Sequence, residues 1–386
     1  MNNIEMYDGI HAMLPRDAMS PGARKLRDFY EIKPNASIYQ CDFGFYSLDR
    51  WKSEGYITDK TNLNELFQYD EPGNHSLLGL GWCEAAFYPL FDEKLIEDRG
   101  EYEVIQDSAG RHVLFFKGRR NGFMPEYLVH PVKDWKTWEE NCKWRLNAGT
   151  PERSDGIDDR MAAAKASAGK GMIMTQQVVG AYMYLRSLIG PVDLLYKFYD
   201  EPELIHDCMK TWLELADTVT AMHQQYITLD ELFIGEDICY NHGSLISPDM
   251  IKEFLFPYYQ QLIQNIKSRQ IDKNRHLYFQ VDTDGYANPV IPLYRELGMD
   301  CMSPFEVASG CDVVETGKEY PDLIMRGGFD KRILAVSREA IDREVDRILP
   351  VMKRRGGYIP TCDHGVPEEV SFQNYMHFRK RVLEFA

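Results

Sequence analysis

The 386-residue chain carries 44 basic and 60 acidic side chains, a formal charge of −16, and so lacks the basic footprint that a nucleic-acid partner or an anionic membrane surface requires. With 44% hydrophobic and 12% aromatic residues it is neither disordered nor fibrous. Its length suits one barrel of roughly 250 residues with extensions, or two domains.

Residues 1–35 read as a polar, helical N-terminal extension, with KLRDFYEI its helical piece and Pro15 and Pro21 as interruptions. The opening MNNIEMYDGIHAMLPRD has no basic segment followed by an apolar one, and no run approaches the roughly 20 apolar residues of a membrane span. A cytoplasmic protein is the expectation. Residues 36–39 are a strand candidate opening a barrel that extends over 36–386, and Ser47 is placed to cap a helix carrying Leu48 and Trp51. From about 85 to 130 short alternating pieces, with turn signals at DSAG (107–110) and RRNG (119–122), predict a β-rich insertion. The charges at Lys117, Arg119 and Arg120 read as a solvated hairpin tip.

After a helical stretch at 135–145, long units take over. Strand-like runs in GMIMTQQVVG, LFIGED, HLYFQV, MDCMSP, DLIMRGG and GGYIPT alternate with helical stretches, the first of them one helix through 194–226. Such alternation requires right-handed parallel crossovers, and six strands plus the N-terminal unit approach the eight of a (β/α)8 TIM barrel. No GxGxxG follows a strand and no GxxxxGK[ST] occurs, so an open nucleotide-binding sheet lacks its phosphate cradle.

In a barrel the loops at the C-terminal strand ends form the site. Those ends carry Gln176 and Gln177; Glu236, Asp237, Tyr240 and His242; Gln280, Asp282 and Asp284; Ser303 and Glu306; Arg326, Asp330 and Lys331; Thr361, Cys362, Asp363 and His364. In YFQVDTDGY (278–286) strand alternation puts Asp282 and Asp284 on one face. Adjacent carboxylates repel, which a chain tolerates most readily where they bind a cation, a proton or a polar substrate. The alternative is an Asx turn closed by Asp284 and Gly285. Asp330 reads as a helix cap with solvated basic neighbours, and Arg326 as a partner for Asp282 or Glu306. The eight cysteines have no CxxC pairing and read as reduced, mostly buried thiols, with Cys239, Cys301 and Cys362 near strand ends.

FIGEDICYNHGSLISPDMIKEFLFPYYQQLI, the Asp-rich strand end, SPFEVASGCDVVE, RGGFDKRIL and GGYIPTCDHGVPEEVSFQNY together resemble the uroporphyrinogen decarboxylase superfamily, with weaker support from FYSLDRWKSEGY. That resemblance implies a (β/α)8 barrel and either tetrapyrrole decarboxylation or, in the cobalamin-dependent branch, methyl transfer to or from a corrinoid on a partner protein. The RQAGR-like stretch and FSDI-like aspartate of true decarboxylases have no counterpart, SPGARKLRDFYE being the nearest early basic stretch. The methyltransferase branch is therefore the closer match. Its zinc-binding HxC pair corresponds in position to Asp282 and Asp284, and its later ligand to Cys362 or His364. The resemblance implies zinc among Asp282, Asp284, Glu306, Cys362 and His364, although carboxylates make a harder, less selective set than thiolates. The chain has no DxHxxG corrinoid signature, so cobalamin would arrive on another protein.

The chemistry expected is O-demethylation of a small methylated donor, possible donors including aryl methyl ethers. An alkoxide or phenolate leaves poorly unless a metal or a proton donor neutralises it. His364 is the candidate donor or ligand, with Asp237 and Asp282 as further catalytic candidates. Tyr240, Gln177, Tyr286, Arg326 and Phe45 are substrate-binding candidates, within a wider group of aromatics that includes Phe43 and Tyr46. A metal-free decarboxylase and a barrel that only binds a small molecule remain as alternatives.

Overall fold

Every strand expected after residue 171 forms, and their registers run parallel from edge to edge. The computed structural model describes residues 6–8, 13–118 and 125–386. One curled sheet has the order Tyr358–Ile359, Ile324–Arg326, Cys301–Ser303, Tyr278–Asp282, Glu231–Gly235, Ile173–Val179 and Asn74–Ser76. Helices connect successive members, as parallel pairing demands. Leu232, Ile234, Phe279 and Val281 point outward and are buried in the main core beneath those helices. The intervening residues, Glu231, Phe233 and Gly235 on one strand and Tyr278, Gln280 and Asp282 on the next, fall on the other face by the same alternation. The fold is a TIM-barrel-like α/β architecture with seven sheet-forming parallel strands among the described residues.

The strand expected at 36–39 does not form, and Asn74–Ser76 takes the edge of the sheet instead. Residues 36–46 are instead an irregular extended segment between the sheet's two edges. Asp70 N donates to Gln40 O at 2.9 Å on one side, while Val366 N donates to Gly44 O at 2.8 Å on the other. Side chains take the backbone donors that a ladder would have used. Gln40 N donates to Asp70 Oδ2 at 2.7 Å, and Cys362 N to Asp42 Oδ1 at 3.1 Å.

Helix Pro21–Tyr30 lies within the expected N-terminal extension, but Pro21 starts it rather than interrupting it, with Ser20 Oγ accepting from Ala23 N at 3.3 Å. Its buried Leu26, Phe29 and Tyr30 pack with Ile173, Cys301 and Ile324, the first residues of three barrel strands. The helix thus plugs the end of the barrel opposite the C-terminal loops. Tyr30 Oη donates to the buried Glu231, which also accepts from Thr175 Oγ1 at 2.7 Å. Tyr30→Phe removes a charge-assisted bond from a buried carboxylate, and should cost about 2 kcal/mol, read as a shift in the urea unfolding midpoint.

The expected insertion is a four-stranded antiparallel sheet, Lys94–Arg99, Tyr102–Gln106, His112–Phe116 and Glu126–Val129. Asp107 closes its DSAG turn by accepting from Ala109 N and Arg111 N at 3.0 and 2.8 Å. The RRNG turn lies outside the described residues. The single helix expected over 194–226 is two, Pro191–Asp200 and Pro202–Gln224, preceded by Ala181–Ile189. Pro191 and Pro202 each lack the amide that would continue a helix and instead start a new one. Ser47 stands at the N-cap of Leu48–Ser53, but its side chain makes no capping bond. No helix among the described residues is long and apolar enough to cross a membrane.

Candidate active site

The alternation that buries Phe279 and Val281 outward carries Asp282 into the barrel mouth, and Asp284 follows it. Both line a cavity of about 510 Å³ together with Asp237 and His364. Asp237 has a left-handed backbone, φ +44, and pairs with Arg186 of helix Ala181–Ile189. The two loops are laid against each other by Glu236 N and Asp237 N, which donate to Asp282 O at 2.8 and 3.2 Å. Ile238 N donates to Thr283 Oγ1 at 3.1 Å. Gly285, at φ +81, lies where a Cβ would stand 2.8 Å from the backbone of Cys239 and Tyr240.

Ser303 Oγ donates to Asp282 Oδ2 and accepts from Gln280 Nε2 at 2.9 Å. Burial, opposed by the Ser303 bond and reinforced by Asp237, lifts the Asp282 carboxyl to about 6. Among the described residues Asp284 receives no comparable donor. Its side chain is 43% exposed to the cavity, yet desolvation within the mouth, then the carboxylates of Asp237, Asp282 and Glu306, push it up to about 8. His364 Nε2 lies 3.8 Å from Asp284 Oδ2. Its ring stacks on Tyr46, with centroids 5.8 Å apart, and tilts against Phe43 at 4.9 Å. Burial first, then Lys331, lowers its pKa, so its imidazole is neutral near pH 7.

Of the residues singled out in the sequence, Asp237, Asp282, Asp284 and His364 meet in this cavity with the aromatics Phe43 and Tyr46; the others are placed elsewhere. Phe45 packs among Trp51, Phe67 and Tyr375. Arg326 lies inside the barrel near Tyr30, Cys41 and Glu231; its charge acts on Asp282, but among the described residues it forms no ion pair with Asp282 or Glu306. Gln177 donates to Gly81 O at 3.0 Å, Tyr240 is an exposed hairpin residue and Tyr286 packs on the core. Glu236 points outward, fully buried, and accepts from Tyr259 and Tyr294. Asp330 accepts from Arg332 N at 2.9 Å, as a structural role implies. Lys331 departs from its solvated reading, since its Nζ lies 3.6 Å from both Glu306 Oε1 and Asp363 Oδ1.

The cavity walls also include Trp82, Cys83, Arg111, Tyr127, His130 and Arg186, none of which was singled out. Arg186 left a signal, as the one cation in the apolar helix AYMYLRSLI directly after a strand. Trp82 ring atoms would lie 3.4 Å from a Cβ on Gly235. A glycine ending the strand thus gives the indole room to stack on Phe233, with centroids 5.6 Å apart.

The donor set expected for zinc does not assemble. Among the described residues no three His, Cys, Asp or Glu side chains are placed to hold a metal ion. Asp282 is bonded to Ser303, and Glu306 accepts from Gly285 N and Ser309 Oγ at 3.0 Å each. The Cys362 thiol is fully buried, which raises its pKa well above the ordinary range and leaves it a poor ligand.

A curled parallel sheet with ionisable groups gathered at its C-terminal strand ends defines the class, a TIM-barrel-like α/β protein. The family model for uroporphyrinogen decarboxylase (URO-D) matches residues 145–385, and the chain belongs to that family. It is 25% identical over 135 residues to the uroporphyrinogen decarboxylase of Hydrogenobaculum sp. (strain Y04AAS1), covering 35% of this chain and 37% of that one. To the uroporphyrinogen decarboxylase of Alcanivorax borkumensis it is 25% identical over 198 residues, 49% of this chain and 50% of that one. The chain thus spans half or less of the length of these curated relatives. A methyltransferase from Methanosarcina mazei superposes with a TM-score of 0.58 at 14% identity, covering 95% of this chain and 99% of that one, a likeness of fold.

Proposed function

We propose that the chain transfers a methyl group from a small methyl ether, an aryl ether by the cavity's aromatic walls, to a corrinoid protein. The observation that carries this reading is the position of Asp284, 3.8 Å from His364 in a cavity whose walls include Phe43, Tyr46 and Trp82, where desolvation and neighbouring carboxylates push its carboxyl up to about 8. Breaking the methyl–oxygen bond leaves negative charge on oxygen, and a poised acid lowers that barrier. Asp284 donates its proton to the departing oxygen, which leaves as a phenol. This assigns the proton to Asp284, with the neutral His364 3.8 Å away as its neighbour, where the sequence had pointed to His364. Asp237, Asp282 and Glu306 act through Asp284 by holding its pKa up. A reduced corrinoid, brought by the partner, supplies the electron pair that takes the methyl carbon.

The names of the curated relatives favour a second reading, tetrapyrrole decarboxylation. The charge of the site opposes it. Arg186 is paired with Asp237, and Arg111 with Asp107 and Glu84, so neither is a free cation for a polycarboxylate, while Asp237, Asp282 and Asp284 add acids. The test incubates the protein with 4-methoxyphenol and free cob(I)alamin, following hydroquinone by chromatography and the corrinoid by its visible spectrum. Stoichiometric hydroquinone with methylation of the corrinoid is expected. Carbon dioxide release from a carboxylated porphyrinogen, with neither product of methyl transfer, would overturn it.

A further inference from the structure

The cavity has two walls of different origin. Asp237, Asp282, Asp284 and His364 stand at barrel strand ends, inside the region 145–385 that matches the family. Arg111, Tyr127 and His130 precede that region, and belong to the inserted antiparallel sheet or adjoin it, yet they line the same space.

We infer that this inserted wall selects the substrate: Tyr127 and His130 receive the end of the donor opposite the reacting ether, and favour a neutral hydrogen-bonding substituent, such as a phenolic hydroxyl, over a carboxylate. The inference rests on reading the cavity as a methyl aryl ether site.

The wall is built rather than incidental. His130 is seated against the junction of helices Ala181–Ile189 and Pro191–Asp200, where a Cβ on Gly190 would come within 2.7 Å of its Nδ1. Its ring centroid is 6.0 Å from that of Tyr127, whose ring lies beneath the Arg111 guanidinium at 4.7 Å. Arg111 in turn is 8% exposed and donates to Asp107 Oδ2 and Glu84 Oε1 at 2.8 Å each. The cation is therefore already matched by two carboxylates, and Asp193 and Asp107 lie near enough to act on His130. A substrate carboxylate entering here would meet no unmatched positive charge.

Burial, then Arg111, pushes the His130 imidazole down to about 4. At pH 7 the ring is neutral and offers one N–H donor and one nitrogen acceptor. A hydroxyl matches either, whereas a carboxylate only accepts. The competing role for these two side chains is structural, in which they would merely fasten the insertion to the barrel, and the test must separate the two.

Calorimetric titration of the full chain at pH 7 with 4-methoxyphenol, methoxybenzene and 4-methoxybenzoate does so, since binding requires no corrinoid. 4-Methoxyphenol should bind tightest. His130→Leu should weaken it by about tenfold, the loss expected for one neutral hydrogen bond, while changing methoxybenzene by less than about twofold. His130→Gln, which keeps a donor and an acceptor, should recover part of that affinity, and Tyr127→Phe should weaken 4-methoxyphenol several-fold with an unchanged melting temperature. Equal losses for the phenol and methoxybenzene, unchanged phenol affinity in His130→Leu and Tyr127→Phe, no binding of the phenol to the parent protein, or a preference for the benzoate would each overturn the inference. Selective phenol binding lost in His130→Leu, without any methyl reaching cobalamin, would overturn the methyl-transfer reading and leave this one standing. Unaltered methyl transfer from 4-methoxyphenol in His130→Leu would do the reverse.

Discussion

Asp284→Asn should lower the rate of demethylation by about 10²–10³-fold, within the range general acid catalysis supplies, with little change in donor affinity. The parent's rate should fall as pH rises through about 8, where Asp284 loses its proton, and the substituted protein should lack that alkaline limb. Stability should also fall with rising pH, but over a lower window. An aspartate in the unfolded chain titrates at about 3.9, so between about 4 and 8 the folded state holds a proton that the unfolded state has released. Stability therefore declines with rising pH across that window and levels above it. Asp282, lifted to about 6, adds a decline of the same sign over the lower part of the window. Asp284→Asn should flatten the upper part and melt above the parent at pH 8. A rate–pH profile and thermal melts from pH 5 to 9 check both arms. If the alkaline limb survives in Asp284→Asn and vanishes in His364→Ala, the proton belongs to His364.

Gly285→Ala should destabilise the fold by about 3 kcal/mol and disable the site at the same time. Its φ of +81 is strained for any residue with a side chain, at about 1–3 kcal/mol. The new Cβ would also press on Cys239 C and on Tyr240 N and O at 2.8 Å, and backbone cannot rotate aside as a flexible side chain can. Yielding there separates the loop of Asp237 from that of Asp284, whose approach includes Tyr286 N donating to Tyr240 O at 2.8 Å. Because the two loops share one carboxylate cluster, the pKa of Asp284 should drop toward the ordinary range. The measurements are a urea melt and the rate–pH profile. A normal profile in a destabilised protein would mean that Gly285 serves packing alone.

The alternation of apolar runs with helical stretches determines the parallel α/β architecture from sequence alone, because strand pairing and crossover handedness follow from local geometry. The same period-two alternation carries Asp282 to the strand's C-terminal mouth, and Asp284, two residues beyond the strand's end, joins it from the turn. Glycine after Asp284 marks a turn, and DSAG marks the hairpin of the insertion. These signals are carried by neighbours in the chain.

What only the tertiary structure decided is which strand ends meet. Arg326 ends its strand as Asp282 does, but its guanidinium lies among Tyr30, Cys41 and Glu231 inside the barrel and 5.9 Å from the ring of Phe29, a residue of the helix that plugs the barrel floor. Phe45 and Phe43 are two residues apart, yet the first joins the core and the second the cavity, since residues 36–46 are irregular rather than a strand with fixed alternation. Tyr127 and His130 belong to an insertion whose own pattern signals a hairpin and nothing of the mouth it borders. The protonation of Asp284 and the neutrality of His130 likewise arise from groups far apart in sequence. A pKa depends on desolvation and on distance through space, neither of which spacing along the chain specifies.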